Sequence, residues 1–450
     1  MARLVLKRWF SDGVFRTIMR NASYLATGKL GGALLGLLAL ACAGRGMTTA
    51  LFGTLILIHS YANGVGAVVK FQTWQFIVRY GAPALERGDT TTLRDVTGFA
   101  FGLDLASGLL GMVAAMVVLP YAAGWFGLSP DNLHLAMLYC TLIPTMTAAT
   151  PTGILRVFDR FDQIALQQLV TPLVRAIGAA VSYLAGLGFT GFVLTWYLAD
   201  LAGDLCLWVL SIQELRRHKV SGALRPTLFG ATQRLPRAWS FVWTTNIAHS
   251  IWAAWGPVSN LVVGGLLGPA AAGLFKIAAT FFDSASKPAE LMSRSFYPEI
   301  MRLDPSSRHP WQLATRSAII SASIAVIVLL LVMLGGEPVI HLTFGKRYVA
   351  AFDLLQLMTA SLVVAMAAFP LESLLYMAGR ERSALVAEGI AALGYAALLV
   401  LLIHLFGLWG AGLAYVAGVC LKTALMLMPT MVAYRGRHVL SHHTAMAVAA

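Results

Sequence analysis

Apolar stretches long enough to cross a lipid bilayer recur from one end of this 450-residue chain to the other, and no other feature restricts its fold as much. Twelve can be read, near 24–43, 47–69, 97–119, 132–153, 164–187, 190–212, 239–263, 270–293, 317–335, 350–378, 383–405 and 408–434. A bilayer core of ~30 Å takes about 20 mostly apolar residues per helix. A segment in lipid must satisfy its own backbone hydrogen bonds, which stretches of this length do as helices. The expected fold is an all-α integral membrane protein with twelve transmembrane helices. Hydrophobic residues make up 58% of the chain and charged residues 12%, against about 45–50% and about 25% in soluble domains. That composition excludes a soluble enzyme, a nucleic-acid-binding domain and a disordered chain. The even spread of apolar residues excludes a single-span receptor.

The 33 Lys and Arg exceed the 20 Asp and Glu, for a net charge of +13. With the N-terminus placed inside, 25 basic residues fall on the inner side and three (Arg45, Lys346, Arg347) on the outer side. The other five, Lys29, Arg175, Lys276, Lys287 and Lys422, lie within or near spans. This asymmetry predicts that both termini are cytoplasmic. Residues 1–23, with Lys7, Arg8, Trp9, Phe10 and Arg16, read as an interfacial arm rather than a cleavable signal peptide. Residues 213–238, basic and holding Pro226 and Pro236, read as a cytoplasmic linker between six-helix lobes at 24–212 and 239–434, with 435–450 a cytoplasmic tail. Cys42, Cys140, Cys206 and Cys420 have no metal spacing and read as packing residues.

The two lobes resemble each other at an offset of about 220 residues: Arg45–Gly53 with Gly265–Gly273, Phe126-Gly127 with Phe344-Gly345, and Pro151 and Arg160 with Pro370 and Arg380. Six helices per half give both halves the same orientation. Such halves are related by a pseudo-two-fold axis along the membrane normal, an organisation that belongs to transporters with the substrate site at the repeat interface.

Ionisable residues inside spans cost about 2.5–3.5 kcal/mol each on insertion scales, so each needs a reason. In the eighth span, Asp283, Lys287, Glu290 and Arg294 share with Lys276 an arc of ~60° at ~100° per residue. Such a stripe either lines a wet cavity or pairs along its own helix. His59, Asn63, Gly66 and Lys70 share a comparable arc of the second span, where packing and cavity lining are both open. Lys29 in the first span has His249 as its counterpart in the seventh, beside Thr245, Asn246 and Ser250. Arg175, with Gln168 and Thr171, stands at a depth similar to Asp200 and Asp204 in the sixth span. A buried Arg–Asp pair, a substrate-facing arginine and an ion-coupling pair of aspartates are the three readings. Pro144, Pro172, Pro257, Pro288 and Pro370 would kink spans. There is no phosphate-binding Gly-rich loop, no zinc spacing and no large outer loop for an enzyme that acts on lipid-linked sugars, so no cofactor is implied.

Four stretches resemble bacterial polysaccharide-biosynthesis export proteins, the flippases for lipid-linked oligosaccharides in the superfamily of multidrug extruders and the lipid II flippase. They are FQTWQFIVRYGAPALERGD at 71–89, PTGILRVFDRFDQIALQQLVTPLVRAIG at 151–178, LLGPAAAGLFKIAATFFDSASKPAELMSRSFYPEI at 266–300 and FGKRYVAAFDLLQLM at 344–358. They stand in family order along the chain, and the resemblance extends over nearly its full length. One departure is Met47-Thr48-Thr49, where the family often has Leu-Gly-Pro; the second half keeps Leu267-Gly268-Pro269. The resemblance implies a V-shaped, two-lobed bundle whose first, second, seventh and eighth helices line a central cavity. It also implies a membrane-embedded carrier of undecaprenyl-pyrophosphate-linked oligosaccharide, working beside a polysaccharide polymerase and chain-length machinery in the bacterial cytoplasmic membrane.

On that reading Lys29, Arg175, Lys276 and Lys287 hold the pyrophosphate, and Lys70 and Arg294 stand at the entrance. His59, Asn63, Asp200, Asp204, Asp283 and Glu290 support the site or couple an ion. The alternatives are a cation-coupled exporter of small molecules, which would favour a carboxylate-rich cavity, and a membrane enzyme acting on lipid-linked sugars.

Overall fold

The computed structural model describes residues 31–125, 128–146, 148–220, 222–228, 235, 238–287, 296–297, 299–301 and 303–436, with the side chains of 244 and 247–254 excepted. Lys29, Glu290, Arg294, the His249 side chain and the N-terminal arm lie outside the described residues. The described residues contain helix and no strand. Each of the twelve apolar segments overlaps helix. By length and apolarity, eight described helices can cross a membrane, and nine if one bent pair counts as a single span.

Contacts group the chain into two units, Met1–Leu261 and Val262–Ala450. The first holds α1 (Gly31–Gly46), α2 (Thr49–Val69), α3 (Thr73–Glu86), α4 (Thr90–Ala122), α5 (Pro130–Cys140), α6 (Ile143–Met146), α7 (Thr150–Val157), α8 (Phe161–Leu184), α9 (Gly188–Arg217) and most of α10 (Ala238–Leu267). The second holds α11 (Pro269–Ala285), α12 (His309–Phe344), α13 (Ala351–Ala368), α14 (Pro370–Met377), α15 (Glu381–Phe406) and α16 (Leu408–Arg435).

Two features depart from the sequence reading. The inner loop expected at 70–95 contains α3. This helix buries Phe76 and Ile77 against Val96, Phe99 and Leu103 of α4, and Phe76 meets Phe99 at 5.1 Å between ring centroids. Asp89 caps the following α4 by accepting the amides of Thr91 and Thr92 at 3.1 and 3.0 Å. The Thr92 hydroxyl also donates to it at 2.6 Å, and chiefly this holds its carboxyl below the usual carboxylate range. The support from this charged cap is present at neutral pH and fades as pH falls through the lowered value. The second departure is the fourth span, which is broken. α5 and the run from Ile143 to Val157 meet at 41°. Pro144 and Pro151 stand at the starts of α6 and α7, where proline needs no donor partner.

The outer faces are apolar, as helices in lipid require. α12 has 36 residues, so it is ~54 Å long and outreaches a bilayer core. It leaves Ile319, Leu331 and Leu334 exposed. Gly268, between α10 and α11, has φ 88° and ψ 170°, a region essentially restricted to glycine. Gly268→Ala is expected to destabilise the protein by about 1–3 kcal/mol, read as a lower melting temperature in detergent; an unchanged melt would mean the turn relaxes freely.

Candidate functional site

In the first unit, several of the charges that the sequence places within spans meet around one carboxylate. α8 and α9 are antiparallel neighbours joined by a three-residue turn. They approach so closely that a Cβ at Gly203 would overlap the Thr171 hydroxyl. That approach brings Arg175 of α8 into an ion pair with Asp200 of α9, through Nη2 and Oδ1. The other oxygen, Oδ2, accepts from the phenol of Tyr139 on α5. His59 of α2 stands with Nε2 3.7 Å from the same oxygen and its ring 5.9 Å from that of Tyr139. Arg175 also lies 5.4 Å from the Trp196 ring centroid, a stacking that suits a weakly hydrated guanidinium.

One turn further along α9, Asp204 feels the charges of Asp200 and Lys70. Lys70, just past the end of α2, donates to the Met146 carbonyl at 3.1 Å. Asn63 is turned back onto its own helix, where its amide donates to the His59 carbonyl at 2.8 Å. Of the residues singled out from sequence, the structure therefore brings His59, Lys70, Arg175, Asp200 and Asp204 into one neighbourhood, while Asn63 sits beside it. The set couples two cations, two carboxylates, an imidazole and a phenol in a mostly buried place. It can hold a charge or relay a proton between oxygen and nitrogen atoms.

The second unit carries a different set. On α11 and the residues following it, Asp283 feels the charges of both Lys276 and Lys287. Lys276 is half-buried, whereas Asp283 and Lys287 are exposed. Phe282 packs edge-on to Tyr415 of α16 at 5.0 Å. The rest of the five-charge stripe, Glu290 and Arg294, lies outside the described residues. Away from it, Lys422 of α16 pairs with Glu388 of α15 at 2.6 Å.

Sequence reasoning missed three participants. Tyr139 is fully buried, and a buried phenol needs an acceptor; a tyrosine among apolar neighbours has no charge to announce it. Glu388 could have been found as the partner that Lys422 required. Asp104 stands in the apolar stretch of α4, beyond Asp95 of its second turn. It is almost fully buried, and accepts from the Thr73 hydroxyl at 2.9 Å and from the amides of Ala149 and Thr150 at 2.8 Å each. Its position at the start of α7 sets a negative charge against a helix N-terminus.

Residues 18–304 match the family model described as Polysaccharide biosynthesis protein. Inner membrane protein YghQ of Escherichia coli (strain K12) is 49% identical over 355 residues, which cover 79% of this chain and all of that protein. Among solved structures, an inward-facing multidrug resistance MATE family transporter of the MOP superfamily matches with a TM-score of 0.65 at 14% identity, over 92% of this chain and 96% of that one. Lipid II flippase MurJ in its inward closed conformation gives 0.64 at 12% identity, over 92% and 90%. At such identities the likeness to the two transporters concerns the fold.

Proposed function

The chain belongs to the polysaccharide biosynthesis protein family, and from that premise we propose that it is a flippase. Its cargo is an undecaprenyl-pyrophosphate-linked oligosaccharide, carried from the cytoplasmic to the outer leaflet of the bacterial inner membrane by alternating access. Twelve helices in two six-helix lobes, with both termini cytoplasmic, complete the reading. The observation that carries it is the pair of lysines flanking Asp283 on and beyond α11. Cations inside a membrane protein need anions, and a pyrophosphate supplies them through charge-assisted hydrogen bonds. Glycan and pyrophosphate cannot enter hydrocarbon without losing water that nothing replaces; a polar path removes that cost while the prenyl tail stays in lipid. In the empty protein Asp283 neutralises the lysines, and the pyrophosphate displaces it. With the cytoplasm negative, each charge carried outward across the full field gains ~2.3 kcal/mol per 100 mV.

Asp200 and Asp204 are the coupling pair in this scheme, one held by Arg175 and Tyr139, the other near Lys70. The same two carboxylates favour a second reading, a cation-coupled exporter of small molecules. Proteoliposomes loaded with a labelled undecaprenyl-pyrophosphate oligosaccharide separate the two. Leaflet exchange of the lipid is expected, without accumulation of a cationic dye. Lys276→Glu and Lys287→Glu, each folded by size-exclusion and melting, are expected to slow exchange at least tenfold (about 1.4 kcal/mol). Unimpaired exchange in both variants would overturn the assignment of the lysines to the head group.

A further inference from the structure

In the second unit, the start of α12, the end of α13, the first turns of α14 and the last turns of α16 enclose a groove of about 460 Å³. Nothing in the transport scheme uses it. Its polarity is graded along its length. At one end stands Arg308, the residue before the first turn of α12. Next come Trp311 and Tyr434, edge-on at 5.2 Å, the indole anchored by donating to the Pro305 carbonyl at 3.2 Å. Gln312 and Thr315 follow on α12. Leu374 of α14 packs in one core with Trp311 and Ala314, and further along lie Ala318 on α12, Leu371 on α14 and Met431 on α16, with Thr430 turned onto its own helix, where its hydroxyl donates to the Met426 carbonyl at 2.7 Å. From Arg308 to Ala318 is ten residues of helix, or ~15 Å, half of a ~30 Å bilayer core.

Two further facts say what fits there. No acidic residue lines the groove, and Arg308 is the charged residue in its lining. The N-terminus of a 36-residue helix adds to that field. Beyond the groove, Ile319, Ile320 and Met428 are exposed, so its walls run on into the apolar outer belt of the unit. Tryptophan and tyrosine beside a basic residue at a helix end are the usual furniture of the membrane–water boundary. A soluble anion would leave the aliphatic part wet; a lipid without phosphate would leave Arg308 without an anion, and a zwitterionic head group would bring a second cation toward Arg308 and the positive end of α12.

We propose that this groove binds one anionic glycerophospholipid of the surrounding bilayer. Its phosphodiester lies against Arg308, its glycerol ester region along Gln312 and Thr315, and one acyl chain over Ala318, Leu371 and Met431. The site is separate from any head group carried across the membrane.

The test is native mass spectrometry of the full-length protein from detergent, titrated with phosphatidylglycerol or with phosphatidylcholine. The expected result is a first bound phosphatidylglycerol at least tenfold tighter than phosphatidylcholine. Arg308→Glu is expected to lose that preference, and Ala367→Trp, which fills the groove from an exposed lining position, to weaken the first site for both lipids. Arg308→Gln replaces the first variant should it fail to fold, with the same expectation. Equal affinity for the two lipids in the unaltered protein would overturn the proposal. So would retention of the preference without Arg308, or unweakened binding in Ala367→Trp. Glycerol 3-phosphate competing at lipid-like concentrations would also overturn it, by making the site one for a free phosphate.

Discussion

Asp104→Ala is expected to leave little or no folded protein. The carboxylate is the common acceptor for the Thr73 hydroxyl at the start of α3 and for two amides at the start of α7. Alanine supplies no acceptor, and the space is too enclosed to offer water freely. Each buried donor left without a partner costs about 1–3 kcal/mol. Three of them approach the about 5–15 kcal/mol by which folded proteins exceed the unfolded state. The joint of α3, α4 and α7 would open with the loss, because the same carboxylate serves all three. Asp104→Asn keeps one acceptor oxygen and turns an amide N–H₂ toward groups that already donate, so an intermediate loss is expected. The measurement is yield of monodisperse protein and melting by intrinsic fluorescence; a melt for Asp104→Ala within a few degrees of the unaltered protein would show that the carboxylate is not what joins the helices.

The second large effect is expected at Arg175. Arg175→Met removes the cation from Asp200 and leaves a carboxylate mostly buried beside Tyr139 and His59. Breaking a buried pair from one side costs about 3–5 kcal/mol, while replacing both partners by apolar groups can be neutral. Arg175→Met with Asp200→Leu is therefore expected to recover part of the loss. The recovery stays incomplete because Tyr139 still lacks its acceptor. Adding Tyr139→Phe removes that last orphan and should restore most of the melting temperature. Transport in the triple variant then separates structure from coupling. A folded triple variant that still flips lipid at the normal rate would make the cluster a fastening only. One that folds and fails to flip would give it a part in the cycle. If the double and triple variants melt no higher than Arg175→Met, the pair energetics described here are wrong.

The positions of the helices were largely readable because a span is a composition signal, repeated over some 20 residues and insensitive to any one of them. α3 escaped because its apolar face, Phe76 and Ile77, is interrupted by Gln75, Arg79 and Pro83. It is stabilised by α4 and by the aromatic start of α10, where Phe241 meets Tyr80 at 6.2 Å and Phe76 at 6.5 Å between ring centroids. Such tertiary support has no local trace. The pairing of Arg175 with Asp200 was legible as one of three readings, because two opposite charges at one depth in adjoining helices attract attention. Which groups share the pair was not legible: Tyr139 and His59 come from helices some 60 and 140 residues away in the chain, and only the packing of α2 and α5 delivers them. Of the five charges expected on one face, Lys276 and Asp283 stand on α11, Lys287 follows its end at Ala285, and Glu290 and Arg294 lie outside the described residues.

The break in the fourth span gives its two pieces different allegiances. Tyr139 on α5 answers to Asp200, whereas the start of α7 answers to Asp104 and hence to α3 and α4. Between them, a carbonyl at the end of α6 is held from outside the span, by Lys70 at 3.1 Å. The segment is thus a jointed strut rather than a rod. A rearrangement at the Asp200 cluster meets α7 through α9, on which α7 packs directly, as well as through the lysine at the foot of α2. Neutralising Lys70 would loosen the joint while leaving both anchorages whole.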